Sequence, residues 1–303
     1  MKFLKTFSTG FVISFSALIF ISLAHADSTA NDPGTLAHHL ATNAAGHASG
    51  FTGGYGDELE FRAPFATNEL QLARLTNAAW TQAFWLKNVT GLGATPIGYR
   101  EVISGQGLPT LVSPRHYLCA SHMHPEGYTL AFLDTHNAVH WRKTLQRTDV
   151  GGDTSLGILD QDLPPSVGFL PVLPENFTNY LPTANTSIVQ GIGMNQDFCL
   201  FSEPMNFANR SFVTWNSALN VPDGLGTNWN VTLRGGDSSN PAMLLVGTQL
   251  VLVSHNSAVG GGPNYAFQKS AINEKMHLLS TNNRVASDYQ LTEFCLTNWP
   301  AGR

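Results

Sequence analysis

The chain has 303 residues, a formal net charge of −5 and 43% hydrophobic residues, enough to build one large domain or two modest ones. Only 12% of the residues are charged, about half the usual share of roughly 25%. That balance excludes the basic surface of a nucleic-acid binder and the charge-rich, apolar-poor make-up of a disordered chain.

Residues 1–26 read as a secretory signal. Lys2 and Lys5 supply the positive start, residues 11–23 form an apolar stretch relieved by serines, and Ala24 and Ala26 put small residues at the two positions read by signal peptidase. A membrane anchor needs about 20 predominantly apolar residues, more than this serine-broken stretch provides, and no later segment qualifies. Cleavage after Ala26 removes Lys2 and Lys5 and no acids, taking the net charge from −5 to −7. The expectation is a secreted or periplasmic protein with no membrane attachment after signal removal. Three cysteines, Cys119, Cys199 and Cys295, allow at most one bridge and one free thiol in a monomer, and no CxxC suggests a cysteine zinc site.

In chain order, residues 27–67 are Gly-, Ala- and Thr-rich with little periodicity and predict an extended or mobile arm. Residues 70–86 have helix-compatible spacing with Thr and aromatic content that also suits a strand. From Pro109 onward, short apolar runs alternate with turn residues, beginning near Leu111, Tyr128, Ala138, Ser155, Ser187, Ser211, Ala242 and Leu250. Strands at such intervals predict an all-β sandwich or barrel. Pro164, Pro165, Pro171, Pro174 and Pro182 remove ladder donors from residues 164–186, which reads as a linker between two β units. Residues 271–279 predict a helix, followed by a polar tail.

Chemistry concentrates around Arg234-Gly235-Gly236-Asp237-Ser238-Ser239-Asn240-Pro241, ahead of two apolar strands. A serine among small, Gly-rich neighbours fits a tight turn with an exposed hydroxyl and converging backbone N–H groups; the plain alternative is a surface turn of ordinary composition. Two further segments bear on the choice. In Ser113-Pro114-Arg115-His116-Tyr117-Leu118-Cys119-Ala120-Ser121-His122 an apolar strand and small residues lead to a histidine, and in Gly151-Gly152-Asp153-Thr154-Ser155-Leu156 an aspartate precedes an apolar strand.

Together these segments resemble the chymotrypsin-like (trypsin-like) serine peptidases, in which His, Asp and Ser occur in that order and the serine lies on the second β unit. Residues 187–193 resemble the opening strand of the second barrel, and residues 252–256 the strand lining the substrate pocket. The resemblance covers roughly residues 111–279. It implies two six-stranded antiparallel β-barrels, the first over residues 68–163 and the second, with a short C-terminal helix, over 187–280, before a tail at 281–303. It also implies a secreted endopeptidase acting on protein or peptide substrates as a monomer without a cofactor. Ser238 would be the nucleophile, His122 the general base and acid, and Asp153 the group that orients the imidazole, with the N–H groups of Gly236 and Ser238 as oxyanion hole.

Other roles follow from the same likeness. The primary pocket would involve Thr232, six residues before Ser238, and Ser254-His255-Asn256, where relatives often have Ser, an aromatic residue and Gly. A neutral Thr232 and a narrowing Asn256 predict poor cleavage after Lys, Arg, Phe or Trp. Cys199 and Cys295 are expected to bridge, leaving Cys119 reduced and buried. Asp237 is expected to meet an internal donor, because no apolar activation site is seen upstream. The chain departs from the family in having Ser239 and Asn240 where two glycines are usual, and Met123 where a cysteine often follows the histidine. One rival reading is a protease-shaped binding protein without turnover. Another is a metal-dependent hydrolase using His116, His122, His124, His136 and His140, although no HExxH accompanies them and no metal ligand is assigned. Asn88, Asn176, Asn185, Asn209 and Asn230 each begin an N-x-S/T sequon.

Overall fold

The computed structural model describes residues 34–48, 66–68, 71–73, 88–93, 109–123, 127–136, 138–181, 188–194, 200–209, 211–215, 233, 235–257, 260–286 and 288–300. Residues 1–26, in which a signal was expected, most of residues 70–86, His124, Cys199 and Thr232 lie outside them, as do the sequons at Asn185 and Asn230. Among the described residues no helix is long and apolar enough to cross a membrane.

The fold is all-β, with two curled antiparallel sheets, as the sequence led us to expect, and a C-terminal helix longer than the short one expected. A small hairpin of β1 (Ala66–Asn68) and β2 (Gln71–Ala73) stands apart. The first large sheet contains β3 (Thr110–Leu111), β4 (His116–Ala120), β5 (Thr129–Leu133), β6 (Val139–Gly151) and β7 (Thr154–Leu159), in the order β3-β4-β7-β6-β5. It therefore has five strands among the described residues rather than six. Thirteen-residue β6 makes the sheet curl: its first part pairs with β5 and its second with β7. Register shifts at Thr144/Gln146 and Asp149/Gly151 bend it between the two partners.

The second sheet has six strands: β8 (Ile188–Met194), β9 (Leu200–Asn209), β10 (Phe212–Trp215), β11 (Pro241–Val246), β12 (Gln249–His255) and β13 (Gly261–Pro263), ordered β12-β11-β8-β9-β10-β13. Its two ends approach each other where Ser257 N–H donates to Gly261 O at 2.8 Å. One core cluster joins Leu118, Leu156 and Ile158 of the first sheet to Ile192, Met243 and Leu252 of the second. Ile272, Met276 and Leu279 of α2 (Tyr265–Asn282) complete it. That shared core packs the two sheets against each other, and residues from both meet at one seam.

Three expectations change. Residues 27–67 are not extended throughout, because α1 spans Leu36–Ala48. Thr35 Oγ1 caps it by accepting from His38 N–H at 3.2 Å, and Leu36 and Leu40 sit against second-sheet residues such as Val189 and Leu244. The Pro-rich stretch is a packed connector: Leu170, Val172, Leu173 and Phe177 are buried, and Val172 bridges to Leu252 and Glu293. Finally, Cys295 is a free, exposed thiol, so the expected Cys199–Cys295 bridge is not formed. Backbone bonds from Phe294 N–H to Val172 O (2.8 Å) and Val172 N–H to Thr292 O (2.9 Å) hold the tail instead. They bury Leu296 and turn Cys295 outward.

Candidate active site at the seam between the sheets

β4 ends at Ala120 and passes directly into a 3-10 turn of Ser121, His122 and Met123. Beside it, β6 and β7 are joined by a tight reversal in which Gly151, Gly152 and Asp153 have φ of 115°, 61° and 65°. The left-handed region suits Gly and is tolerated by Asp, which explains the Gly-Gly-Asp spelling of this turn. The reversal puts Asp153 under the His122 turn. Ser121 N–H donates to Asp153 O at 2.8 Å and His122 N–H to Asp153 Oδ1 at 3.2 Å. His122 Nδ1 lies 2.8 Å from Asp153 Oδ2 and 3.0 Å from Oδ1. A carboxylate only accepts, so Nδ1 carries the proton, and among the described residues Nε2 is left as the unprotonated, unengaged nitrogen. The His122 side chain is 48% exposed, which leaves it open to a reactant.

Ser238 comes from the second sheet, on the turn leading into β11, and is half-buried. Gly236 in that turn has φ 104°, a conformation that favours glycine. Asp237 is buried, and one of its donors is Asn240 Nδ2, at 3.2 Å from Oδ1. Asn240 N–H also donates to Asp237 O at 3.1 Å, so Asn240 fastens the loop around the serine. Ser239 N–H donates to Asn256 O at 2.8 Å and Asn256 N–H to Asn240 O at 2.9 Å, tying the loop to the end of β12.

The two halves of the site are joined by Ser239. Its Oγ accepts the Ala120 N–H at 2.8 Å, two residues before His122. The residue after Ser238 is therefore fixed to the strand that delivers His122. Among the described residues no hydrogen bond joins Ser238 Oγ to His122 Nε2, and such contacts commonly tighten only when a reactant binds.

The expected pocket residues behave differently. Ser254, His255 and Asn256 are all buried. Ser254 Oγ donates to His255 O at 3.0 Å and Asn256 Oδ1 accepts from Trp215 Nε1 at 3.0 Å. His255 is not a pocket wall: its Nε2 lies 3.1 Å from Asp153 O, and its Nδ1 is hydrogen-bonded to the Tyr265 hydroxyl. Burial lowers the His255 pKa to about 4 and pushes the Tyr265 phenol well above its usual range. No sequence motif marked Tyr265 or the bridging role of Ser239.

The remaining histidines are dispersed. His116 is buried between Ser113 Oγ (2.9 Å) and Ser280 Oγ (3.3 Å), and His140 Nε2 meets Asp134 Oδ2 at 2.9 Å. His136 is exposed, and no three His, Cys, Asp or Glu side chains converge on a point that could hold a metal ion among the described residues. Cys119 is buried beside the site as a free thiol whose pKa burial pushes up to about 12, which makes it inert. Asn88 is buried, with both amide atoms bonded to the Leu250 backbone at 2.7 and 2.9 Å, whereas Asn176 is exposed.

No protein-family model and no curated protein matches the chain. Among solved structures it is similar to neuropsin, a serine protease expressed in the limbic system of mouse brain. That match has 13% identity and a TM-score of 0.43, covering 63% of this chain and 96% of that one. It is also similar to human heparin binding protein (CAP37), in a mutant form at 13% identity and in an atomic-resolution structure of the protein at 14%. Both matches have TM-scores of 0.44 and cover 62% of this chain and 92% of the other.

Proposed function

We propose that the chain is a secreted serine endopeptidase. Ser238 attacks the scissile carbonyl, and His122 Nε2 takes its proton and later delivers it to the leaving amine. Asp153 holds the Nδ1–H and stabilises the imidazolium that forms. The N–H groups of Gly236 and Ser238 receive the oxyanion, and water then releases the acyl group by the same proton path. The observation that carries this reading is the seam itself. An Asp153-bound His122 with a free Nε2 stands on a turn to which the Ser238 loop is fastened through Ser239 Oγ. A serine hydroxyl is weakly nucleophilic at neutral pH, and this arrangement supplies the base it needs.

The reading includes export by residues 1–26 and action as a monomer on proteins or peptides. It also includes a pocket that disfavours large aromatic and basic side chains. Asn256 stands where relatives often have Gly, and its buried side chain is held by Trp215 Nε1, which supports a narrow pocket. Cleavage of a mixed peptide library by the mature protein tests the proposal. Hydrolysis after small or polar residues, lost in Ser238→Ala and indifferent to chelators, supports it. Dominant cleavage after Lys or Arg contradicts the pocket, and chelator-sensitive hydrolysis that survives Ser238→Ala contradicts the whole reading.

One observation favours a protease-shaped binding protein. Ser239 has φ 73° where the family usually places glycine, so the nucleophile turn carries strain in its ground state. Tight peptide binding without turnover is the outcome that would select it.

A further inference from the structure

Asp153 presents two separate faces. Its carboxylate is committed to His122, while its carbonyl oxygen receives two donors from different parts of the molecule. Ser121 N–H reaches it at 2.8 Å from the His122 turn, and His255 Nε2 reaches it at 3.1 Å from the end of β12. A carbonyl can only accept, so His255 Nε2 carries a proton. Burial keeps the ring neutral, so Nδ1 is an acceptor and the Tyr265 hydroxyl donates to it. Tyr265 opens α2, whose Asn264 cap accepts from Ala266 N–H at 3.1 Å, and it is itself fully buried. The chain Tyr265 to His255 to Asp153 thus has every donor and acceptor matched.

The bonded carbonyl belongs to a residue in the left-handed region, φ 65°, which a side-chain-bearing residue adopts at a cost. The two bonds to this carbonyl pin the β6–β7 turn that carries the Asp153 carboxylate to His122. The titratable groups facing His255 are Tyr265 from α2, Asp153 from the β6–β7 turn and His122 beyond it, with Cys119 near Tyr265.

We infer that His255, with its tautomer fixed by Tyr265, is a positioning residue that reaches across the seam to lock Asp153 in the conformation that orients His122. The inference rests on the proposed roles of Asp153 and His122. Its consequence is that the second sheet and α2 contribute to the general base, not only to the nucleophile loop.

Three variants test it. Tyr265→Phe keeps the bond to Asp153 but frees the tautomer. His255→Gln keeps a side-chain N–H donor of similar reach. The double variant His255→Met/Tyr265→Phe removes the bond and leaves no orphaned hydroxyl, so the core can accept it. Two readouts are taken with thermal midpoints: the rate of Ser238 labelling by a fluorophosphonate, and the NMR titration of the His122 ring. We expect labelling to fall about 100-fold in the double variant, as small misplacements near a reacting group do. The fall should be about 10-fold or less in His255→Gln and Tyr265→Phe. The His122 titration midpoint should move in the double variant and return toward wild type in His255→Gln. A folded double variant with wild-type labelling and wild-type His122 titration overturns the inference, as does a loss that His255→Gln fails to restore. Absence of labelling in the wild type would count against the peptidase reading alone, because the His122 titration still decides whether His255 positions Asp153.

Discussion

Ser239 shows how one residue can carry a cost and a bond at once. Its φ of 73° is unfavourable for a residue with a Cβ, yet its hydroxyl satisfies the buried Ala120 N–H at 2.8 Å. Ser239→Ala keeps the strain and orphans that donor, so stability should fall by about 1–3 kcal/mol. Ser239→Gly relieves about 1–2 kcal/mol of the strain while losing the same bond, and should lie between alanine and wild type. Denaturant unfolding of the two variants checks the order, and an alanine variant as stable as wild type contradicts it. At this scale the sequence was informative where backbone chemistry is special: the Gly-Gly-Asp turn and the Gly-Asp-Ser loop both announced themselves. It was silent on His255, whose neighbours in space, Asp153 and Tyr265, belong to other segments of the chain. The position after an apolar strand suggested a pocket wall. Only the curl of the sheets shows that the ring turns inward.

Among the elements, the strands beginning near Ser155, Ser187, Ala242 and Leu250 were legible because continuous apolar runs mark strands buried on both faces. β9 was not, since Ser202, Glu203, Pro204 and Asn206 interrupt its apolar residues. Among the described residues Pro204 pairs with Gln190 of β8 alone, an arrangement that a residue without an N–H can accept. Helix α2 was expected over residues 271–279 but starts at Tyr265, where the Asn264 cap and the inward Tyr265 outweigh the Gly-Gly-Pro sequence before it. Its early start has a use. Gln268 donates to Gly151 O at 3.0 Å and accepts from Thr154 Oγ1 at 2.8 Å, clasping the turn that holds Asp153. Gln268→Ala should lower stability by about 1 kcal/mol and speed amide exchange across residues 151–154. Unchanged exchange in that turn would show that α2 does not support it.

The whole molecule carries an unusual pH balance. Burial lowers both His116 and His255 from 6.5 to about 4, so between those values the unfolded chain binds more protons and stability falls with falling pH. Glu203 runs the other way. Burial raises it from 4.5 to about 7, so its contribution is present below pH 4.5 and lost as pH rises toward 7. Where these windows overlap, the two buried histidines oppose Glu203, so these three groups together leave a rise in stability with pH of roughly 1.4 kcal/mol per unit. Glu203→Gln should steepen that rise. It should also make the protein more stable than wild type at pH 8, by about 2 kcal/mol once residual solvent screening is allowed for. Equilibrium unfolding from pH 4 to 8 measures both, and parallel curves for the two proteins contradict the assignment.

The proposed peptidase activity depends on Ser238 being activated by His122, and covalent capture reports that directly. Purified protein incubated with a fluorophosphonate should gain one adduct by intact mass, localised to Ser238 by peptide mapping. His122→Ala and Asp153→Ala should each abolish most of the labelling while remaining folded, because the three groups act as one unit. No adduct on the folded wild-type protein, or an adduct at Ser238 whose rate is unchanged in His122→Ala, would contradict the triad.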